Sequence, residues 1–152
     1  MSHSYTSLIY HIIFSTEGRL PLLPRSLIPE LRRYIAGIVA NHQGRLITAG
    51  GEPDHFHCLA LLHQSMSVAD GARVVKSNSS RWLSREKRLK PFSWQEGYAG
   101  FTVSRSQSEI VRRYIDCQEE HHRKRTFRDE LLALFDAHGM APPEDWFAAR
   151  NG

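Results

Sequence analysis

Residues 55–62 read His-Phe-His-Cys-Leu-Ala-Leu-Leu and decide the fold. Towards Leu62 both faces of this run become apolar, which predicts a strand at the centre of a sheet, where both faces are covered. Gly50-Gly51-Glu52-Pro53 lies just before it and is typical of a turn. Arg45 to Ala49 then predicts a second, shorter strand on the other side of that turn.

The rest of the chain surrounds this centre with helices and further strands. Apolar residues alternate from Ser7 to Ser15 as in a strand, and residues 92–103 predict a hairpin or a broken strand. Helical spacing with capping or stop residues marks the helices. They begin near Ser26, Ser67, Ser106 and Thr126, and Gly44 and Gly139 end the first and the last. The order β-α-β-β-α-β-α predicts an α+β fold, an antiparallel sheet covered by helices.

Length and composition are those of one globular domain. The chain has 152 residues and a formal net charge of +4. We expect a domain at residues 1–140, with residues 141–152 as a C-terminal arm of the same domain. No apolar run is long enough to cross a membrane, and no signal peptide is evident. We therefore expect a cytoplasmic protein whose Cys58 and Cys117 are reduced thiols.

Two separated segments carry the candidate chemistry. His55 and His57 are two apart on the predicted strand and so share a face. Tyr114 and Gln118 are four apart on a predicted helix and project together. Two imidazoles, an amide oxygen and a phenol would form a metal site beside a nucleophile if the two surfaces pack against each other. His121 is the rival third ligand.

Each of these residues also has a structural explanation. An HxH pair on a strand can be two satisfied core histidines, and a tyrosine on an apolar helix stripe usually packs in the core. The proposed ligands are all neutral, however, so a divalent cation would keep its full charge for work on a phosphate. Mg²⁺ or Mn²⁺ suits such a donor set.

Six short segments between Ser4 and about Gly139 form a specific series by their order and spacing. They are YHIIFST (10–16), GGEPDHFH (50–57), KSNSSRW (76–82), WQEGY (94–98), FTVS (101–104) and YIDCQEEHH (114–122). In these segments the chain resembles the IS200/IS605-like single-strand DNA transposases of the Y1 HUH endonuclease superfamily. The resemblance is greatest to the branch that includes the REP-associated tyrosine transposases.

The resemblance implies a fold, a reaction and a set of site residues. The fold is a ferredoxin- or RRM-like sheet whose central strand carries the two histidines of the HUH motif, here His55 and His57. Tyr114 matches the nucleophile and Gln118 the third metal ligand. The implied enzyme cleaves and rejoins single-stranded DNA through a 5′-phosphotyrosine intermediate with Mg²⁺ or Mn²⁺. Many members recognise a hairpin beside the cleavage site, and many are homodimers that share their active sites.

Basic residues in or beside these motifs are candidate DNA contacts. They are Arg19, Lys76, Arg81 and Arg105. Two other functions stay open at this point: a domesticated nickase that acts on chromosomal repeat hairpins, and a non-catalytic RRM-like regulator that binds nucleic acid. Covalent trapping separates the enzyme from the regulator, because only the enzyme forms a DNA adduct that survives denaturation.

Overall fold

The computed structural model describes residues 3–122 and 124–147, apart from the side chains of His121, Asp145 and Phe147. Its strands are β1 (Ile9–Ser15), β2 (Arg45–Glu52), β3 (His55–Leu61) and β4 (Ala99–Val103). Its α-helices are α1 (Ile28–Asn41), α2 (Val68–Arg85), α3 (Ser108–Asp116), α4 (Gln118–His121) and α5 (Phe127–Ala137). Short 3₁₀ helices occupy Glu17–Arg19, Arg25–Leu27, Arg105–Gln107 and Glu144–Phe147.

The strands form one antiparallel sheet in the order β2-β3-β1-β4. With the chain order β-α-β-β-α-β, this is the ferredoxin-like arrangement. The α+β prediction is confirmed, and β3 lies between β2 and β1, as the apolar run after His57 indicates.

The two faces of the sheet carry different layers because side chains alternate along each strand. Ile12, Phe14 and Phe56 point to one face and form the main core with α1 and α2. Ile13 points to the other face and packs with Phe127 of α5. On that second face Ile115 of α3 contacts the sheet, together with the residues of a smaller core cluster. The histidines of β3 belong to this second face.

The predicted turn before β3 is placed wrongly. Residues Gly50, Gly51 and Glu52 continue β2, and Glu52 pairs with His55. Only Pro53 and Asp54 make the turn. Pairing with the central strand overrides the loop preference of two glycines, so the side chain of Glu52 is directed to the face that carries His55.

Of the two forms expected for the segment from residue 92, the structure has the broken strand. Trp94 forms an isolated antiparallel bridge with Thr16, and β4 then pairs with β1 from Ala99 onward. The predicted capping box at Ser106 is absent, because a 3₁₀ turn precedes α3 and Ser108 donates to the carbonyl of Arg105.

α5 begins and ends as predicted. The Thr126 hydroxyl accepts a hydrogen bond from the Asp129 amide, and Gly139 follows the helix at a φ of +68°. The apolar residues Leu131, Leu132, Leu134 and Phe135 predict a packed stripe on this helix, but Leu132 is 41% exposed. The C-terminal arm contacts the helix through Trp146, whose ring lies 5.4 Å from that of Phe135. Residues 148–152 of the arm lie outside the described residues. No helix in the described part of the chain is long and apolar enough to cross a membrane.

Candidate active site

His55 and His57 are fully buried at the start of β3 and share one face of the sheet. The Nδ1 atom of His55 lies 2.8 Å from the Asp54 carboxylate, and its ring stacks on Phe127 at 4.0 Å between centroids. These two contacts orient His55 with Nε2 towards the helices. A carboxylate on the far nitrogen is the arrangement common among metal-binding histidines.

His57 is held between two buried polar groups. Its Nδ1 lies 2.9 Å from Nε2 of His11, a residue of β1 on the same face. Its Nε2 lies 2.7 Å from Oε1 of Glu130, yet neither of these atoms has a hydrogen bond of good geometry within the described residues. Burial lowers the pKa of both His11 and His57, so the two rings are neutral near pH 7.

Tyr114 and Gln118 meet the histidines from the helical side. α3 ends at Asp116 and α4 begins at Gln118, so the single helix expected here is broken at Cys117. Tyr114 and Gln118, four residues apart, still face the histidines despite this break. The Gln118 Oε1 atom lies 3.2 Å from Nε2 of His55, and the ring of Tyr114 lies 6.0 Å from that of His57. The four residues expected at the site therefore lie together within one chain.

Glu130 and His122 also belong to the site, and neither is among the residues predicted from the sequence. Glu130 of α5 is 3% exposed, and its Oε2 lies 2.7 Å from Nε2 of His122. That nitrogen is also 2.9 Å from Oε1 of Gln118. A charged residue beside the apolar stripe of α5 was the one available signal for Glu130. The side chain of His121, the rival ligand, lies outside the described residues.

The donor atoms form a continuous series. His57 Nε2 lies 2.7 Å from Oε1 of Glu130, and Oε2 of the same carboxylate lies 2.7 Å from Nε2 of His122. That His122 nitrogen is 2.9 Å from Oε1 of Gln118, which in turn is 3.2 Å from Nε2 of His55. Among the described residues, ligand atoms of His55, His122 and Glu130 lie within 4.8 Å of one another, as a metal site requires. Adjacent ligands of an octahedral cation with bonds of about 2.1 Å are roughly 3 Å apart. The residues present fit a divalent cation.

The charge of Glu130 dominates the electrostatics of the site. Burial would raise the pKa of this carboxyl, but hydrogen bonding with His122 and His57 holds it well below its ordinary range. Burial and the same carboxylate raise the pKa of Tyr114 well above its ordinary value. The pKa of His122 is raised because Glu130 outweighs its partial burial. The phenol is therefore fully protonated in the metal-free protein.

Of the four candidate DNA contacts, Arg19 lies beside the site. Its guanidinium carbon is 5.3 Å from the centre of the Phe127 ring, the ring that stacks on His55. Lys76 donates to the carbonyls of Gln95 and Gly97 at 2.7 and 2.6 Å, so its ammonium group joins α2 to the segment before β4.

The other two candidates are exposed and remote from the site. Arg81 lies on α2, on the far side of the sheet, and Arg105 lies at the opposite end of α3 from Tyr114. The roles of all four residues in DNA binding stay predictions.

Comparison with known proteins identifies the family and similar folds. The profile described as "Transposase IS200 like" matches residues 4–118. A protein of Deinococcus radiodurans R1 named as a transposase is 21% identical and has a TM-score of 0.60, with 78% of this chain and 96% of that chain covered. A REP-associated tyrosine transposase bound to a REP hairpin is 16% identical and has a TM-score of 0.57. That comparison covers 93% of this chain and 87% of the other.

At these identities the two structures show a shared fold. No curated protein sequence shows significant similarity to the chain. The family profile covers well over half of the 152 residues and ends at Gln118, the last of the four residues expected at the site. By this match, the chain belongs to the family of IS200-like transposases.

Proposed function

We propose that this transposase cuts and rejoins single-stranded DNA, with Tyr114 as the nucleophile and a divalent cation held by His55, His57 and Gln118. The observation that carries the proposal is the position of Tyr114, whose ring lies edge-on to His57 at 6.0 Å within the same chain. A tyrosine used only for packing would have no need of a cluster of five donor side chains, those of His57, Glu130, His122, Gln118 and His55. Membership of a transposase family supplies the class of substrate.

In the proposed reaction the Tyr114 oxygen attacks a phosphodiester. A bond forms between that oxygen and phosphorus, the bond to the 3′ oxygen breaks, and the products are a 5′-phosphotyrosine and a free 3′-hydroxyl. The phenol loses its proton and the leaving oxygen gains one. The tyrosine ester retains the energy of the broken bond, so a 3′-hydroxyl can reverse the step at a new junction.

The chain's own residues prepare this step. His55 and His57 are held by Asp54 and His11 so that their Nε2 atoms face the helices. The carboxylate of Glu130 and the imidazole of His122 lie within the same series of donor atoms. A bound cation would polarise the scissile P–O bond and offset the charge of the phosphate. Mg²⁺ and Mn²⁺ are the cations we expect.

Single-stranded DNA with a hairpin is the substrate that the family likeness favours. One neighbour in fold, a REP-associated tyrosine transposase, is bound to a REP hairpin. The complete set of residues in one chain supports cleavage by the tyrosine of the same chain. A homodimer in which subunits exchange tyrosines would separate residues that lie together here.

The test is covalent trapping. The protein is incubated with 5′- and 3′-labelled single-stranded DNA from the region flanking its gene, in Mn²⁺, and run on a denaturing gel. We expect an adduct that carries only the label on the 3′ side of the cut, because the 5′ phosphate stays on tyrosine. Label released without an adduct would indicate hydrolysis, and intact DNA in every lane would favour the non-catalytic regulator.

A further inference from the structure

A buried carboxylate with one unbonded oxygen lies next to the site and has no part in the chemistry above. Glu52 ends β2 opposite His55 and is 4% exposed. Its Oε2 accepts from Nη2 and Nε of Arg25 at 2.8 and 3.0 Å. Its Oε1 accepts no hydrogen bond within the described residues. The Arg25 side chain is 59% exposed, so a guanidinium in contact with solvent compensates a buried charge.

Arg25 stands between two open clefts. One, of about 420 Å³, is lined by Glu52, Asp54 and Arg19 and reaches His122. The other, of about 570 Å³, lies between α1 and the α3–α4 segment. Its walls carry Arg32 and Arg33, its floor is the backbone of Gly50 and Gly51, and it reaches Gln118. The two clefts thus approach the donor atoms from two sides, and Arg25 lines both.

We propose that the Arg25–Glu52 pair recognises a nucleotide beside the scissile phosphate, with Arg25 binding a backbone phosphate and Glu52 accepting a hydrogen bond from a base. The inference rests on the proposed function, since it assigns the path of the single strand to the two clefts. A strand that is cut within its length must leave the catalytic centre in two directions. The two clefts provide those directions.

The chemistry of the two side chains selects their partners. A guanidinium binds phosphate through paired N–H groups, and Arg33 adds an exposed positive charge in the same cleft. A carboxylate repels phosphate and needs a donor. Within a DNA strand the internal sugars and phosphates offer none, so the donors are the N–H groups of the bases.

Glu52 therefore confers a preference among bases. Adenine, cytosine and guanine carry an exocyclic amino group that can donate to Oε1, as cytosine does to acidic side chains in DNA complexes. Thymine has only a ring N–H, set between two carbonyl oxygens that a carboxylate would repel. When Arg25 turns to a phosphate, the carboxylate becomes open to the neighbouring base.

The experiment measures DNA binding in EDTA, so that neither metal nor cleavage affects the result. Fluorescence anisotropy gives the Kd for labelled oligo(dT), oligo(dA) and oligo(dC) of equal length. In a homopolymer the same base lies beside Glu52 wherever along the strand the protein binds. The variants are Arg25→Lys, Arg33→Ala and Glu52→Gln, and Arg85→Ala on the opposite face of the sheet is the control. Circular dichroism and thermal melting confirm that each variant is folded.

We expect Arg25→Lys to weaken binding about tenfold, because lysine keeps the positive charge but lacks the paired N–H donors of the guanidinium. Arg33→Ala should weaken it less and lower the salt slope by about 0.7, the value of one phosphate contact on a single strand. Wild type should prefer oligo(dA) and oligo(dC) to oligo(dT) by about tenfold or more, the worth of one hydrogen bond to a charged group.

Glu52→Gln provides the sharpest outcome, since it should tighten binding to all three oligonucleotides by freeing Arg25 and should reduce the base preference. If the wild type binds single-stranded DNA and both Arg25→Lys and Arg33→Ala bind it with the same Kd as the wild type, the inference is overturned. The proposed function is unaffected by that result. A base preference that persists in Glu52→Gln overturns the role of Glu52. Failure of wild type to bind any single strand contradicts the proposed function itself.

Discussion

Glu130 Oε1 lies 2.7 Å from His57 Nε2, and both atoms are buried without a well-aligned hydrogen bond within the described residues. Two such atoms so close together are what the donors of a shared cation would show. α5, which supplies Glu130, lies beyond the residues that the family profile matches. The carboxylate thus comes from a part of the chain outside the matched motifs.

The first prediction is that Glu130 strengthens metal binding. Glu130→Gln keeps the shape of the side chain and removes its charge, so calorimetric titration with Mn²⁺ should show affinity reduced at least tenfold, as loss of a ligand or its partner does. Glu109→Gln, an exposed glutamate on α3, is the control and should bind Mn²⁺ as wild type does. Equal affinity in both variants would show that Glu130 only supports the histidines.

The second prediction concerns Tyr114. Tyr114→Phe retains the ring beside His57 and removes the hydroxyl, so the free energy of unfolding should fall by only about 1 kcal/mol. DNA binding and Mn²⁺ binding should persist while the covalent adduct and strand transfer vanish. The denaturing gel described above is the measurement. An adduct formed by the phenylalanine variant would refute the mechanism, and Tyr98 would be the next tyrosine to test.

The third prediction concerns His57. Its ring is buried between His11 and Glu130, so His57→Ala leaves a cavity and removes one of the two imidazoles beside the carboxylate. The loss of stability should be large, about 2–5 kcal/mol, as for other large-to-alanine substitutions in a core. Urea denaturation measures it. In the double variant with Glu130→Gln the two losses should not add, whereas simple addition would mean that the contact contributes nothing.

The fourth prediction is a pH dependence of stability in metal-free protein. The pKa of Glu130 is lowered, so its contribution is present above its ordinary value of 4.5 and is lost as the pH falls further. The pKa of His122 is raised, so its contribution is complete below its ordinary value of 6.5 and is lost as the pH rises through the raised value. The difference in unfolding free energy between wild type and Glu130→Gln should therefore be largest between these values.

Buffered urea denaturation across pH 4 to 9, with EDTA present, gives that difference directly. His11 and His57 titrate in both the wild type and Glu130→Gln. Taking the difference between the two unfolding free energies therefore reduces the effect that these two histidines have in common. A difference that stays constant above pH 6.5 would contradict the assigned pairing of His122 with Glu130.

The fifth prediction separates the two thiols. Burial raises the pKa of Cys58 to about 12, whereas Cys117 is exposed. Since the thiolate is the reactive form, iodoacetamide at pH 8 should add one group to the folded protein and two in urea. Intact-mass measurement counts them, and Cys117→Ser should gain none when folded. Modification of Cys58 in the native state would show that the main core opens readily.

Spacing places His55 with His57, and Tyr114 with Gln118, on one face of each element, and the resemblance to the transposase family selects these residues as the site. The packing of the two elements is not contained in either spacing, but the fold that the resemblance implies supplies it. Glu130 could not be predicted in the same way. Its neighbours on α5 fit the apolar stripe, and only the contacts with the histidines make burial of its charge favourable.

Glu52 was mistaken for a turn residue for a related reason. Gly50 and Gly51 indicate a loop when the segment is considered alone, but β3 offers hydrogen-bonding partners that extend β2 as far as Glu52. Leu132 shows the converse error. Hydrophobicity favours its packing, but it follows Leu131 around the helix and points away from the sheet.

Gly51 has a practical consequence for engineering. A Cβ atom there would lie 2.2 Å from the carbonyl oxygen of His55, so no other residue fits without moving the backbone of β3. Libraries that aim to alter the sequence preference of this transposase should therefore keep position 51 as glycine and diversify positions 25 and 52. Such a library can yield a variant that recognises a different base while the strand that carries both histidines is unchanged.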